Sequence, residues 1–199
     1  MRCPCLAVVL LVGVAVLDTF RASATLGLLV DGVTDEVAHL STALLVLLAV
    51  AGPARLDRHR VEVATTLLAS VAIDLDHLPL YAGVPGAAEG GRPASHSVST
   101  VVLLALAAVW LRRARPVLLA AAAGIGLHLL RDLSTGPGVP LLWPLSTEHV
   151  RLPYGPHLAL LCLLAAVAVL RNGRRSRVPL NACGQSTEGA RSWRPRPPP

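Results

Sequence analysis

The sequence contains no lysine; all 18 of its basic residues are arginine. Aromatic residues make up only 3% of it, too few for a platform that stacks nucleic-acid bases. Charged residues account for 15%, against about 25% in an ordinary soluble domain. Hydrophobic residues make up 53%, and the mean hydropathy is +0.59. A soluble nucleic-acid binder with the net charge of +6 found here would carry a polar, basic surface, so no nucleic-acid partner is expected. The four cysteines (Cys3, Cys5, Cys162 and Cys183) form no CxxC pair and match no zinc ribbon or disulfide framework. Cys162 lies within an apolar run and reads as a small buried hydrophobe. Walker, G-x-S-x-G and internal-repeat patterns are all missing. What remains is the composition of a membrane protein.

Six apolar runs carry that composition: Cys5–Leu17, Val37–Ala54, Val61–Ile73, Val98–Leu111, Pro116–Leu130 and His157–Leu170. A spanning helix needs roughly 20 residues, so most runs must borrow a turn from their flanks or sit in thinned bilayer. Their Leu, Ala and Val do not alternate, which argues against barrel strands and leaves helices. The expectation is an all-α, polytopic transmembrane bundle of five to six helices with polar loops at its outer face. Three segments follow. Residues 1–36 form a signal peptide or first transmembrane helix plus an outer loop. Residues 37–170 form the membrane-embedded domain, and 171–199 a disordered, basic cytoplasmic tail rich in Arg, Pro, Gly and Ser. Arg2, the first run and Ala22-Ser23-Ala24 fit a cleavable signal peptide and an uncleaved first helix alike.

The arginines sort by side. Arg2, Arg55, Arg58, Arg60, Arg112, Arg113, Arg115 and the tail place 14 of the 18 on one face when the crossings alternate. The positive-inside rule makes that face cytoplasmic, in a multi-pass protein of the plasma or inner membrane. The other face receives nine of the twelve acids and six of the seven histidines. Polar chemistry therefore gathers on the extracytoplasmic side.

Four polar clusters stand there at helix ends: His39; Asp74-Leu75-Asp76-His77; Arg92-Pro93-Ala94-Ser95-His96-Ser97; and His128-Leu129-Leu130-Arg131-Asp132. Ionisable groups at such positions default to a functional reading. His128 and Asp132 are four apart, and Asp74 and His77 three apart, so each pair shares a helical face. Asp76 points elsewhere unless the helix unwinds, which Pro79 predicts shortly after. Histidine and carboxylate without thiolate suit zinc, manganese or iron. Seven potential ligands exceed one tetrahedral site and could fill two adjacent ones. Arg92 and Arg131 either hold an anionic phosphate or pair with these carboxylates. His149 and His157 are further ligands or solvated loop histidines, and His59 is solvated among arginines. Trp143, Tyr81 and Tyr154 fit an interfacial aromatic belt. Gly136-Pro137-Gly138 is a turn rather than a phosphate loop.

In this order the motifs resemble the YdjM-like, membrane-bound metal-dependent hydrolases, a family also described as LexA-binding and inner-membrane-associated. Asp74-Leu75-Asp76-His77 looks like the family's DxDH motif, and His39 like its early helix-opening histidine. Gly91 to Ser97 resembles its HRGxTHS segment, His128 to Asp132 its HxxxD, and Leu142-Trp143-Pro144 its LWP. Gly91 stands where the motif has its first His, and Ser95 where it has Thr; the first change removes a ligand or a residue that orients one. The resemblance covers roughly residues 37–170, and the N-terminal 36 residues look like an addition. Nothing in the sequence speaks to LexA binding.

The resemblance implies metal-assisted hydrolysis of an ester or phosphoester. The ligands are then His39, Asp74, His77, His96, His128 and Asp132, with Asp76 as ligand or general base and Arg92 and Arg131 as catalytic residues beside it. The cofactor is a divalent metal ion, zinc first, with manganese or iron as alternatives. A site at headgroup depth makes membrane lipid the surroundings and a lipid-linked phosphoester a natural substrate. The competing readings are a metal or proton carrier, which would put polar groups near mid-bilayer, and a membrane scaffold whose clusters merely cap helices.

Overall fold

The structure is a computed structural model that describes residues 3–82, 84 and 92–175. Gly91, Glu89, Cys183 and the tail beyond residue 175 lie outside the described residues, as do the side chains of Cys3 and Tyr81. The described chain is helical: α1 (Cys3–Ser23), α2 (Leu28–Val50), α3 (Pro53–Arg58), α4 (Arg60–Ala72), a 3-10 helix (Ile73–His77), α5 (Leu78–Tyr81), α6 (Val98–Trp110), α7 (Arg115–Asp132) and α8 (Tyr154–Arg175). Strand pairing among the described residues is limited to one isolated bridge between Val139 and Val150. Gly138 enters that bridge at φ 94°, a left-handed conformation suited to glycine.

All six apolar runs become helices, but several bounds move: α2 stops at Val50, and α8 runs on to Arg175, into the segment expected as a disordered tail. α1 runs on to Ser23, and α2 begins at Leu28 rather than Val37. The extra turns of α2 carry Asp31, Asp35 and Glu36, so residues expected in an outer loop stand on a helix. Among the described residues three helices are long and apolar enough to cross a membrane: α1, α2 and α8. α4 and α6 have 13 residues each. At about 1.5 Å per residue they cover roughly 20 Å, short of the roughly 30 Å hydrocarbon core. The structure thus supports an all-helical membrane protein with three such spans.

Packing divides the bundle into two groups. α1, α2 and α8 enclose a core of Ala7, Val14, Leu45, Leu48, Ala49, Leu161, Ala165 and Ala168. On α8 these positions recur every three or four residues and define one buried face. Cys162 sits one residue round the helix from Leu161 and is exposed, contrary to the expectation of a buried position. α7 packs between α4 and α6, and α2 joins the two groups by touching both α4 and α7. Large apolar side chains such as Val9, Val12, Leu103, Val109 and Leu163 face outward, the expected pattern where lipid replaces water.

The α4–α7 contact depends on one glycine. A Cβ built on Gly124 meets the Thr66 carbonyl oxygen inside any tolerable distance, and the Ala69 Cβ at 2.9 Å. Small residues of this kind let helix backbones approach closely in lipid. Thr66 Oγ1 then donates across the contact to the Ala120 carbonyl at 3.1 Å. Gly124→Ala is expected to cost about 1–3 kcal/mol through overpacking, read as a lowered thermal midpoint in detergent. Gly126→Ala, whose Cβ meets nothing within 4 Å, should leave that midpoint unchanged.

Candidate metal centre

The ends of α4 and α7, the start of α6 and the middle of α2 converge on one cluster. All seven sequence-selected ligands meet there. His39 comes from α2, and His128 and Asp132 from the last turns of α7. Asp74, Asp76 and His77 stand on the 3-10 helix that follows α4. His96 comes from the turn before α6, where its backbone N–H donates to the Pro93 carbonyl at 3.0 Å. The 3-10 winding settles the Asp76 question. With about three residues per turn, the segment brings Asp76 as well as Asp74 and His77 against His96.

Two adjoining groups result: His39, His128 and Asp132, all buried, and Asp74, Asp76, His77 and His96 beside them. His128 joins the two. Its ring stacks on His39 at 3.8 Å between centroids and stands edge-on to His96 at 5.1 Å. Its Nδ1 donates to the Ser70 carbonyl at 2.9 Å. In the neutral ring this leaves the Nε2 lone pair free and aimed inward. That Nε2 lies 2.8 Å from Asp132 Oδ2 and 3.4 Å from Asp74 Oδ1, with no hydrogen-bond partner of acceptable geometry. His39 Nδ1, Asp132 Oδ1, Asp76 Oδ1 and His77 Nδ1 are likewise shielded and unpartnered.

A lone pair facing two carboxylates is repulsive unless something positive lies between them. Ligands held at about 2.1 Å from a divalent ion stand roughly 3.0–3.4 Å from one another, and the separations around His128 fall close to that. His39 Nε2 adds a further contact, 3.2 Å from Asp132 Oδ1. The donor set, neutral imidazoles with carboxylates, fits a divalent metal.

Electrostatics outside the spanning helices point the same way. Burial alone would raise the Asp74 carboxyl, but the imidazoles of His128 and His96 that face it outweigh this and hold it well below the usual carboxylate range. Asp76 is likewise held low, against its burial, by the neighbouring imidazoles of His77 and His96 and by the Ser95 hydroxyl that donates to it. For His96, burial opposes charge, yet its bonds to Asp74 and Asp76 raise its pKa. The cluster therefore draws positive charge to itself, as a proton or as a metal ion.

The two arginines near the centre are taken up by carboxylates. Arg131 is fully buried. It pairs with Asp18 and with Asp35, the latter at 2.5 Å, and donates to Thr135 Oγ1 at 2.9 Å. Arg92 pairs with Asp132, and Gly136 leaves room for its guanidinium, since a Cβ there would lie 3.0 Å from Arg92 Nη2. Of the two roles open to them in the sequence, the structure displays pairing with carboxylates rather than an open phosphate cradle.

Several other side chains were placed differently by sequence reasoning. His157 is buried at the start of α8 beside Tyr154, with a ring separation of 5.9 Å, instead of solvated. His149 is exposed and outside both groups. His59 stays exposed, as expected. Tyr154 donates to Asp18 Oδ2 at 3.0 Å, so its hydroxyl serves the ion-pair network. Asp18, Asp35 and Glu36 were not singled out at all. The signal was present in the spacing Glu36-x-x-His39, one helical turn, but it was hidden by assigning Glu36 to a loop.

Fold and site together define an integral membrane helix bundle with a buried His/Asp cluster able to hold metal. A family model described as YdjM inner membrane protein matches residues 35–186. The chain belongs to that family, and α1 precedes the matched segment. Searches of the curated proteins and of the solved structures return no match.

Proposed function

We propose that the protein is a membrane-bound, metal-dependent hydrolase of an ester or phosphoester. The observation that carries this reading is the unpartnered, inward-facing Nε2 of His128 between two carboxylates. His39, His128 and Asp132 would hold metal on one side, and Asp74, His77 and His96 on the other, with zinc the first expectation. A bound divalent metal lowers the pKa of a coordinated water and polarises the scissile bond. Asp76 keeps a 26% exposed side chain, against 0% for His96 and Asp132. It therefore stands at the open side of the cluster, placed to accept a proton from an attacking water, while Ser95 donates to it and holds its orientation. Arg92 keeps the Asp132 carboxylate in place, and Arg131 secures the ends of α1, α2 and α7 around it.

Six of the seven side chains stand at the ends of α4 and α7 or the start of α6, which favours a surface-facing centre, whereas His39, at the middle of α2, stands at the depth a conduction path would use. The arginine distribution supports an extracytoplasmic site and a cytoplasmic C-terminus. At that depth a lipid-linked phosphoester is the substrate class to try first. Detergent-purified protein should contain a divalent metal and hydrolyse a phosphodiester or lipid phosphoester reporter. Chelation should abolish turnover, and zinc or manganese should restore it. Protein that co-purifies with no metal and is activated by none would remove the basis of this reading.

A further inference from the structure

We propose that the protein holds a phospholipid with a zwitterionic, amine-bearing headgroup: phosphate on Arg151, ammonium on Asp31, and an acyl chain along the outer groove between α1 and α8. This binding site is separate from the metal centre and does not require hydrolysis. Two cavities form it. A polar one of about 720 Å³ has Asp18, Arg21, Asp31, Thr135, Arg151 and Tyr154 in its wall. An apolar one of about 610 Å³ runs along α1 and α8 past Leu11, Val16, Phe20 and Leu158. Thr19 lines both, so the polar cavity continues into the groove. Arg131 stands between the polar cavity and the metal centre. It bonds Asp18 and Thr135 on one side and approaches His39 Nε2 to 3.5 Å on the other.

Charge selects the ligand. Two arginines at the cavity meet three carboxylates: Arg21 pairs with Asp31 and Asp35, and Arg131 with Asp18 and Asp35. One negative charge is left over. Asp31, with a 44% exposed side chain, is the carboxylate open to the cavity, whereas Asp18 and Asp35 are 7% and 13% exposed. Arg21 engages Asp31 at 2.8 and 3.1 Å, and a carboxylate still has lone pairs to offer a second donor. Arg151 supplies the matching positive charge. It is exposed and, among the described residues, pairs with no carboxylate. The Val139–Val150 bridge, and the Leu152 N–H donating to the Leu133 carbonyl, fix its backbone against the turn after α7. A phosphate and an ammonium on one short linker answer both charges, and guanidinium–phosphate contacts are strong charge-assisted bonds. A purely anionic headgroup would satisfy Arg151 and leave Asp31 unanswered. Tyr154, at the start of α8, is the kind of aromatic that marks headgroup depth, and the groove beside it is lined for hydrocarbon.

Native mass spectrometry of the detergent-purified full chain tests this, with dioleoylphosphatidylethanolamine, dioleoylphosphatidylglycerol and soluble phosphoethanolamine as probes. Wild type should retain a single phosphatidylethanolamine per chain and bind it about tenfold more tightly than phosphatidylglycerol, the worth of a hydrogen bond to a charged group. Phosphoethanolamine, which has no acyl chain, should bind more weakly than the lipid by at least as much. Arg151→Gln should weaken both lipids. Asp31→Asn, which leaves Asp35 to Arg21, should weaken phosphatidylethanolamine alone and erase the preference. Cys162 is exposed and lines the groove, so Cys162→Trp fills it without disturbing the core. That variant should weaken both lipids and leave phosphoethanolamine binding unchanged. Equal affinity of wild type for the two lipids would overturn the proposal, as would an Arg151→Gln protein that binds them like wild type. Phosphoethanolamine binding as tightly as the lipid would show a site for free phosphate compounds instead. Lipid binding unchanged in Cys162→Trp would show lipid held elsewhere on the bundle. Either result overturns the proposal too.

Discussion

Replacing His128 with alanine is expected to empty the metal centre and abolish hydrolysis. His128 reaches both groups of the cluster: Asp132 and Asp74 through Nε2, His39 by stacking and His96 edge-on. Loss of a residue that merely orients a ligand costs about 10–100-fold in metal affinity. Loss of a ligand at the junction of both groups should exceed that. A purely structural role for the cluster makes a different forecast, since a polar lock loses stability on mutation but does not respond to metal. Ligand binding stabilises a fold by about 2.7 kcal/mol when free metal is at 100 times Kd. Chelation should therefore lower the thermal midpoint of the wild type and leave that of the His128→Ala protein unmoved. Equal metal content in the two proteins would rule out the assignment of His128.

Ser70 offers the companion observation. Its carbonyl oxygen is what fixes the His128 tautomer, and Ser70 lies where α4 runs against α7 at Gly124. Thus the close helix contact and the ligand geometry are one arrangement. Gly124→Ala should loosen metal binding in proportion to its loss of stability, while Gly126→Ala should do neither.

Much of the site could be read from the sequence because its residues mark helix ends. Asp74, His77, His96, His128 and Asp132 each sit where apolar periodicity stops, whereas His39, near the start of its apolar run, proves to be the middle of α2; periodicity is the strongest signal in a membrane chain. Asp76 was readable as a residue but not as a direction, because Pro79 marks an unwinding nearby without saying that Ile73–His77 takes 3-10 winding. The early start of α2 was missed because Asp31, Asp35 and Glu36 read as loop residues. In the fold the charges of Asp31 and Asp35 are answered by Arg21 and Arg131 from other helices. Pairings across 96 or 113 residues of sequence, such as Arg131 with Asp35 and with Asp18, leave no local trace. The short α4 and α6 show the converse limit: their apolar character was plain, but apolar character alone does not make a span.

Removing α1 is expected to unfold the protein rather than to trim it. Arg131 is fully buried, and one of its two counter-ions is Asp18 of α1, whose side chain is only 7% exposed. Breaking a buried ion pair by taking one partner away costs about 3–5 kcal/mol, since the remaining charge has no solvent to turn to. Deleting residues 1–24 removes Asp18, the Arg21 that neutralises Asp31 and Asp35, and the core side chains Ala7 and Val14. Asp18→Ala alone should therefore lower stability by several kcal/mol. Asp18→Leu combined with Arg131→Met should recover most of it, because an apolar pair can replace a buried ion pair at little cost, and Arg21 still serves Asp35. The same contacts predict that the small-residue segment Ala22-Ser23-Ala24 is not a processing site. An epitope ahead of α1 should stay on the membrane-embedded, metal-binding protein. Recovery of folded, metal-binding protein beginning at Thr25 would show instead that the bundle stands without its first helix.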